Sequence, residues 1–296
     1  MARRWAIAIA ALTCLALAVS LVPEAATGGG ARTIQVHPGQ LQRAIERAGA
    51  GDTLIIHSGH YRGSFVIDKR LKLAGAAGER RPLIDGGCAT RATISVRHGG
   101  VVLRRLHVVG ADEGFGPGPS EVDFSAVRSG RISGSLVRDT CDAEYGVNVF
   151  GSAEVDVIGN RGRGFSDAAF YVGAISGTGD GVLRVTRNIG FGNNRGVIVE
   201  DVSGGRVLVV DNHLNDNRAR GLGTPSGIFL HRSDAVLLID NVVRANGRFG
   251  IHLDPDSDRN RLFGNVAIRN PGGNFRDEGS GNCGAGNRPD AFPACP

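Results

Sequence analysis

Three short segments carry the residues best placed to do chemistry: "GVIVED" at 196–201, "GIFLHR" at 227–232 and "GIHLDP" at 250–255. If each is a β-strand, alternation sends Val197 and Val199, Ile228 and Leu230, and Ile251 and Leu253 into a core. Ile198, Phe229 and His252 then form one outward row, and Glu200, His231 and Asp254 the next. Strands stacked about 4.8 Å apart make Glu200 and Asp254 the two neighbours of His231. Those carboxylates would lie about twice that spacing apart, near the wide limit for an inverting glycosidase pair. A carboxylate or imidazole in such a row can serve as general acid or base.

Extending the alignment upward adds Tyr171 beside Ile198, with Asp167 and Glu144 at the preceding turn. The candidate catalytic residues are therefore Glu200, His231 and Asp254, and the candidate substrate-binding residues Asp167, Tyr171 and His252. Structural readings compete with these. Outward positions of any exposed strand are polar, and stacked opposite charges merely avoid repulsion. Tyr171 in "SDAAFYVG" also reads as a buried structural tyrosine. His231, His252 and Asp254 include ligand types suited to a transition metal, but no motif joins them and no metal site is assigned.

These segments sit in a repeat. Asn160, Asn188, Asn212, Asn241 and Asn265 recur at intervals of 28, 24, 29 and 24 residues, each after a short apolar run. Asn193, Asn217, Asn246 and Asn270 follow the last four by five residues. A period in the mid-twenties with strand, turn, turn and strand in each unit marks a solenoid, and nothing has the 3.6-residue period of helical repeats. Asparagine suits such turns because it tolerates left-handed backbone and hydrogen-bonds along the stack. The expected fold is all-β, a right-handed parallel β-helix with a short N-terminal capping helix and a disulfide-pinned C-terminal tail. Upward, Ser135 and Leu106 stand where the ladder would continue. Segments 111–121 and 218–226 interrupt the pattern as loops leaving the coil, and such loops wall a binding face. All sixteen asparagines fall between Asn148 and Asn287, so the repeat is most regular in the C-terminal half.

Ahead of the repeats, Gln40 to Ala48 has Leu41, Ala44, Ile45 and Ala48 on one helical face, fit to close the open end of the first coil. The run "QLQRAIERAGAGDTLIIHSGHYRGSFVIDKRLKLAGA" resembles the N-terminal capping region of the pectin-lyase-like β-helix superfamily. The later units resemble carbohydrate-binding and sugar-hydrolase repeats of exported β-helix proteins, so the likeness covers roughly residues 33 to 275. It implies the β-helix fold and a polysaccharide ligand. It does not fix an activity, because the superfamily includes lyases, hydrolases, epimerases and proteins without known catalysis. The chain lacks the Gly-His-Gly of polygalacturonase-like members and the Asp-His and arginine set of pectate-lyase-like ones. Asp254-Pro255-Asp256 stands where an epimerase-type Asp-Pro-His would be.

Composition sets the outer bounds. At 296 residues, 41% hydrophobic and 21% charged, the chain can bury a large core, and 46 glycines suit a fold with several tight turns per coil. Met1-Ala-Arg-Arg-Trp5 followed by an apolar run to Val22 reads as a signal peptide over 1–26, giving a secreted or extracytoplasmic protein. Organisation then runs as cap and first coils over 33–80, β-helix over 81–275 and capping tail over 276–296. Removing the leader, with Cys14, leaves Cys88, Cys141, Cys283 and Cys295, an even number that argues for two disulfides. Cys283 with Cys295 would close a Gly/Pro/Asn-rich tail without strand pattern, and Cys88 with Cys141 pair by elimination. The net charge of +5 comes from scattered arginines, which makes nucleic acid an unattractive partner. Removal of the signal would leave no membrane segment, and a monomer is expected. The acidic run Asp254 to Asp258 resembles a calcium-type cluster without an EF-hand spacing, so it reads first as a turn and no cofactor is assigned. The expected function is binding or processing of polysaccharide; the alternative is a non-catalytic extracytoplasmic scaffold that binds another protein.

Overall fold

The structure is a computed structural model that describes residues 30–175, 181–204, 207–221 and 223–296. The signal segment 1–26 and Cys14 lie outside the described residues. Three parallel sheets wrap one core. The first has 11 strands, from Thr33–Val36 to Cys283–Ala285. The second has 9, from Phe65–Ile67 to Gly273–Asp277, and the third has 9, from His60–Arg62 to Val266–Ile268. Each circuit of the chain adds one strand to every sheet, so the fold is the expected parallel β-helix.

Short β-branched runs form these strands because each needs one apolar residue in two. Val149, Val172, Val199, Leu230 and Leu253 occupy matching positions on successive coils of the second sheet, and all are fully buried. At the N-terminal end the helix Leu41–Arg47 buries Leu41 and Ile45 against this core, as its one-sided apolar face requires.

The corner after the first sheet is built by the asparagine ladder. Asn212 meets all four of its hydrogen-bonding capacities there. Its Nδ2 donates to Val185 O at 2.8 Å and Asn241 Oδ1 at 2.9 Å, and its Oδ1 accepts from Asn188 N at 2.9 Å and Nδ2 at 3.0 Å. The chain of bonds runs from Asn160 to Asn287, and Ser135 continues it upward, its Oγ accepting from Leu106 N at 3.2 Å. Left-handed backbone, however, belongs to the residue before each asparagine and not to the asparagine. Arg187, Asp211 and Asp240 have φ of 55°, 56° and 52°, and Gly159 and Gly264 take the same place in their coils. The asparagine is needed for its amide, not for its backbone tolerance.

Cys88 joins Cys141 with Cα atoms 5.4 Å apart, and Cys283 joins Cys295 at 4.9 Å. The tail is more regular than its composition suggests. Cys283–Ala285 extends the first sheet beside Arg261–Phe263, because Asn282 and Asn287 carry two ladders one coil further.

Candidate functional site

The outward rows of the second sheet lie as the alternation demands. Tyr171, Ile198, Phe229 and His252 are successive partners, and Glu200 pairs with His231. Two chains of polar contacts run down this face. In the first, Tyr171 donates its hydroxyl to Glu200 Oε2 at 3.0 Å, and Glu200 Oε1 lies 3.7 Å from His231 Nε2. His231 Nδ1 bonds Asp254, which accepts from Ser257 Oγ at 2.6 Å and from Arg232 N at 3.1 Å. Glu200, His231 and Asp254 are thus one connected set.

Arg232 is the member that alternation missed. Its Nη1 donates to His231 Nε2, its Nη2 reaches Glu200 Oε1 at 3.1 Å, and its Nε reaches Asp201 at 2.6 Å. His231 therefore does not simply sit between two carboxylates: a guanidinium shares its Nε2 side. Arginine can only donate, so Nε2 is the acceptor and Nδ1 the donor toward Asp254. Strict alternation would bury Arg232 after outward His231. It is outward because its φ is 44°, a left-handed kink shared with Asp201 at 52° and Ala174 at 53° one and two coils away.

The second chain begins at Asp167, which is ion-paired with Arg195. The Arg195 guanidinium lies 5.0 Å from the Phe229 ring centroid, and Phe229 stacks with His252 at 4.9 Å. His252 is buried, 2.8 Å from Glu278 through Nε2, and its Nδ1 has no protein partner. Tyr171 is 7% exposed, with its hydroxyl committed to Glu200. Burial pushes the Asp167 carboxyl up to about 6; Glu144 and Glu200 add to the rise and Arg195 opposes it. Burial likewise raises Tyr145 and Tyr171, helped by Asp167 and Glu200 respectively.

Both sequence insertions wall this face. A cleft of about 470 Å³ is lined by Glu113, Asp142, Glu144, Ser166, Asp167, Arg220 and Gly221. Glu113 comes from the first loop, and Arg220 and Gly221 from the second. Arg220 Nη1 donates to Gly164 O at 2.7 Å, drawing the second loop across the coil above. The raised Asp167 carboxyl in this cleft and the hydrogen-bonded His231 imidazole lie at opposite ends of the sheet's strands, so each can move a proton only at its own end. Two of the three carboxylates in the Asp254 to Asp258 run are spent internally: Asp254 is engaged as above, and Asp258 accepts from Ser280 N at 2.7 Å.

Residues 124–287 match the family described as periplasmic copper-binding protein (NosD). The chain belongs to the NosD family. No curated protein matches it. Among solved structures it is similar to the PL6 family alginate lyase AlyGC, at 16% identity and TM-score 0.59, covering 88% of this chain and 40% of that one. It is also similar to pectate lyase Pel9A, at 13% identity and TM-score 0.65, covering 91% and 82%. A GH136 lacto-N-biosidase from Eubacterium ramulus matches at 10% identity and TM-score 0.52, covering 86% of this chain and 67% of that one. The chain spans well under half of the alginate lyase, and at these identities the likeness is one of fold.

The donor chemistry of the described residues does not fit the copper of the family description. All four described cysteines are in disulfides. The one methionine is Met1, outside the described residues. Both nitrogens of His231 are engaged, and no group of three His, Cys, Asp or Glu side chains among the described residues is arranged to hold a metal. Copper favours thiolate, thioether or clustered imidazole, and this outer face offers carboxylates and guanidinium groups instead.

Proposed function

We propose that this NosD-family chain is an exported β-helix protein that binds or processes polysaccharide along the outer face of its second sheet. The observation that carries the reading is the loop-walled cleft at Glu144 and Asp167, on the same sheet face as the Tyr171, Glu200, His231 and Asp254 row. A non-catalytic scaffold would need only a flat exposed ladder; here two insertions converge over acidic groups. The names of the solved relatives, alginate lyase and pectate lyase, support a polysaccharide ligand. The family's periplasmic description and two disulfides support an extracytoplasmic site of action, in line with the signal peptide expected over 1–26. In processing, His231 would act as the base through Nε2, oriented by Asp254 and released when Arg232 turns to the ligand. Incubation with a panel of uronic-acid and neutral glycans, following binding, unsaturated product and new reducing ends, tests it. Absence of binding to every glycan would sink the reading.

A further inference from the structure

We infer that the outer face of the third sheet is a second binding surface, where an arginine ladder holds an acidic polysaccharide by its carboxylate or sulfate groups. The inference rests on the polysaccharide reading for the kind of polymer, but its site is separate from the second-sheet groove. Arg138 and Arg163 are register partners on the neighbouring strands Leu136–Arg138 and Arg161–Arg163. Phe191 follows Arg163 in the same row, on the strand Ile189–Phe191. Arg161 lies one outward position, about 7 Å, from Arg163. Arg81 reaches the corner that leads into Leu136–Arg138, its Nε donating to Gly134 O at 3.0 Å. Positions 81, 138, 161 and 163 are scattered in the chain, and the coils bring them together.

The ladder is unbalanced, unlike its counterpart on the first sheet. There Arg131 and Arg184 flank Asp156 in one row and pair with it at 2.6 and 3.4 Å. Between Arg138 and Arg163 no acidic residue intervenes, and like charges at facing positions of neighbouring strands cost stability. Arg81, Arg138, Arg161 and Arg163 are all exposed, and none forms an ion pair among the described residues. Two carboxylates beside this face are spent elsewhere. Asp85 bonds His60 and the Gly87 N–H, and Asp139 accepts from the N–H groups of Cys141, Asp142 and Ala143. Burial, then Arg138 and Arg81, hold the His107 imidazole below its ordinary range, as a face of positive potential requires.

The shape of the ladder selects the partner. A guanidinium fork offers paired N–H donors to the oxygens of an acid group, and an unpaired one has them free. The rungs repeat at the coil spacing of about 4.8 Å, close to the advance per residue of an extended pyranose chain. Successive sugar acids can therefore meet successive guanidinium groups along the solenoid axis. Next in the row, the Phe191 ring has the Arg163 guanidinium 5.7 Å from its centroid and adds an apolar surface for a sugar ring. An acidic peptide of the same charge has no ring to place there.

Calorimetric titration of the full chain with oligogalacturonate, a chondroitin sulfate hexasaccharide, a neutral glucan hexasaccharide and polyglutamate tests the face, alongside sedimentation with phosphatidylglycerol vesicles. At least one acidic glycan should bind about tenfold more tightly than the neutral one, and more weakly as salt rises from about 0.05 to 0.5 M. The triple variant Arg138→Gln, Arg161→Gln, Arg163→Gln should lose that tenfold at a melting temperature no lower than the wild type, because all three side chains are exposed. Binding of the neutral glucan should not change in the variant. Polyglutamate bound as tightly as the acidic glycans overturns the proposal in favour of a peptide. Vesicle binding lost in the variant, with acidic glycans held alike by both proteins, overturns it in favour of a membrane. A variant that binds every probe like the wild type overturns the face yet leaves the second-sheet reading standing. No glycan bound by the wild type overturns both.

Discussion

The asparagine corner and the outward row of the second sheet are stacked by the same coils yet follow opposite rules. At the corner one residue type repeats and each amide satisfies its neighbours, so Asn160 through Asn287 are uniform and buried. On the face, Tyr171, Glu200, His231 and Asp254 differ in every coil, and their bonds are made by partners of different chemistry. Identical rungs serve the stack, since any one can replace the next. A row of unlike, partly exposed groups that still interlock is organised around something outside the stack.

The comparison breaks first at the corner. Asn212→Ala would strand the Asn188 N–H, one Asn188 amide proton and Val185 O in a dry interior and should lose about 4 kcal/mol. Denaturant melts of the variant measure it; a loss below about 1 kcal/mol would show that neighbouring coils absorb the missing rung. The next effect belongs to the face. Asp167 is held at about 6 against its ordinary 3.8, chiefly by burial. Between about pH 4 and 6 the native state binds more protons than the unfolded one, so stability falls as pH rises, by about 3 kcal/mol from this group. Asp167→Asn should remove that share of the slope, read as the difference between wild-type and variant melts across the window. A slope identical in both would mean that Arg195 keeps Asp167 ionised throughout.

Much of this was legible in the chain. Periodic asparagines and alternating strands were enough for the fold, the ladder, the one-sided helix at Leu41–Arg47 and the rows that pair Glu200 with His231. What stayed hidden was non-periodic. Arg232 is outward through a left-handed kink at the strand's end, where a period of two no longer predicts direction. Asn260 and Asn282 form another ladder with Val236, unseen because it has too few rungs to show a period. The cleft at Glu144 and Asp167 needed Glu113 and Arg220 from loops whose paths no local pattern encodes. The sequence also assigned left-handed backbone to the asparagines, when the preceding Arg187, Asp211 and Asp240 bear it. Both residues of such a pair recur with the same period, and spacing alone cannot separate them.

The smallest expected effect on stability is the sharpest test of function. His231 is partly exposed, and in His231→Ala the Asp254 carboxylate keeps Ser257 Oγ and the Arg232 N–H. Arg232 likewise keeps Glu200 and Asp201. The variant should therefore melt within about 0.5 kcal/mol of the wild type. If the face is a groove floor, glycan binding or turnover falls sharply in this variant, and Arg232→Gln, which frees Nε2 of one donor, shifts the pH profile of any turnover without abolishing it. If the face only solvates the stack, both variants behave as wild type toward every glycan, and the unlike row joins the uniform one as scaffold. Stability lost along with ligand response would instead assign His231 to the fold, because a group serving only a ligand leaves the stack intact when removed.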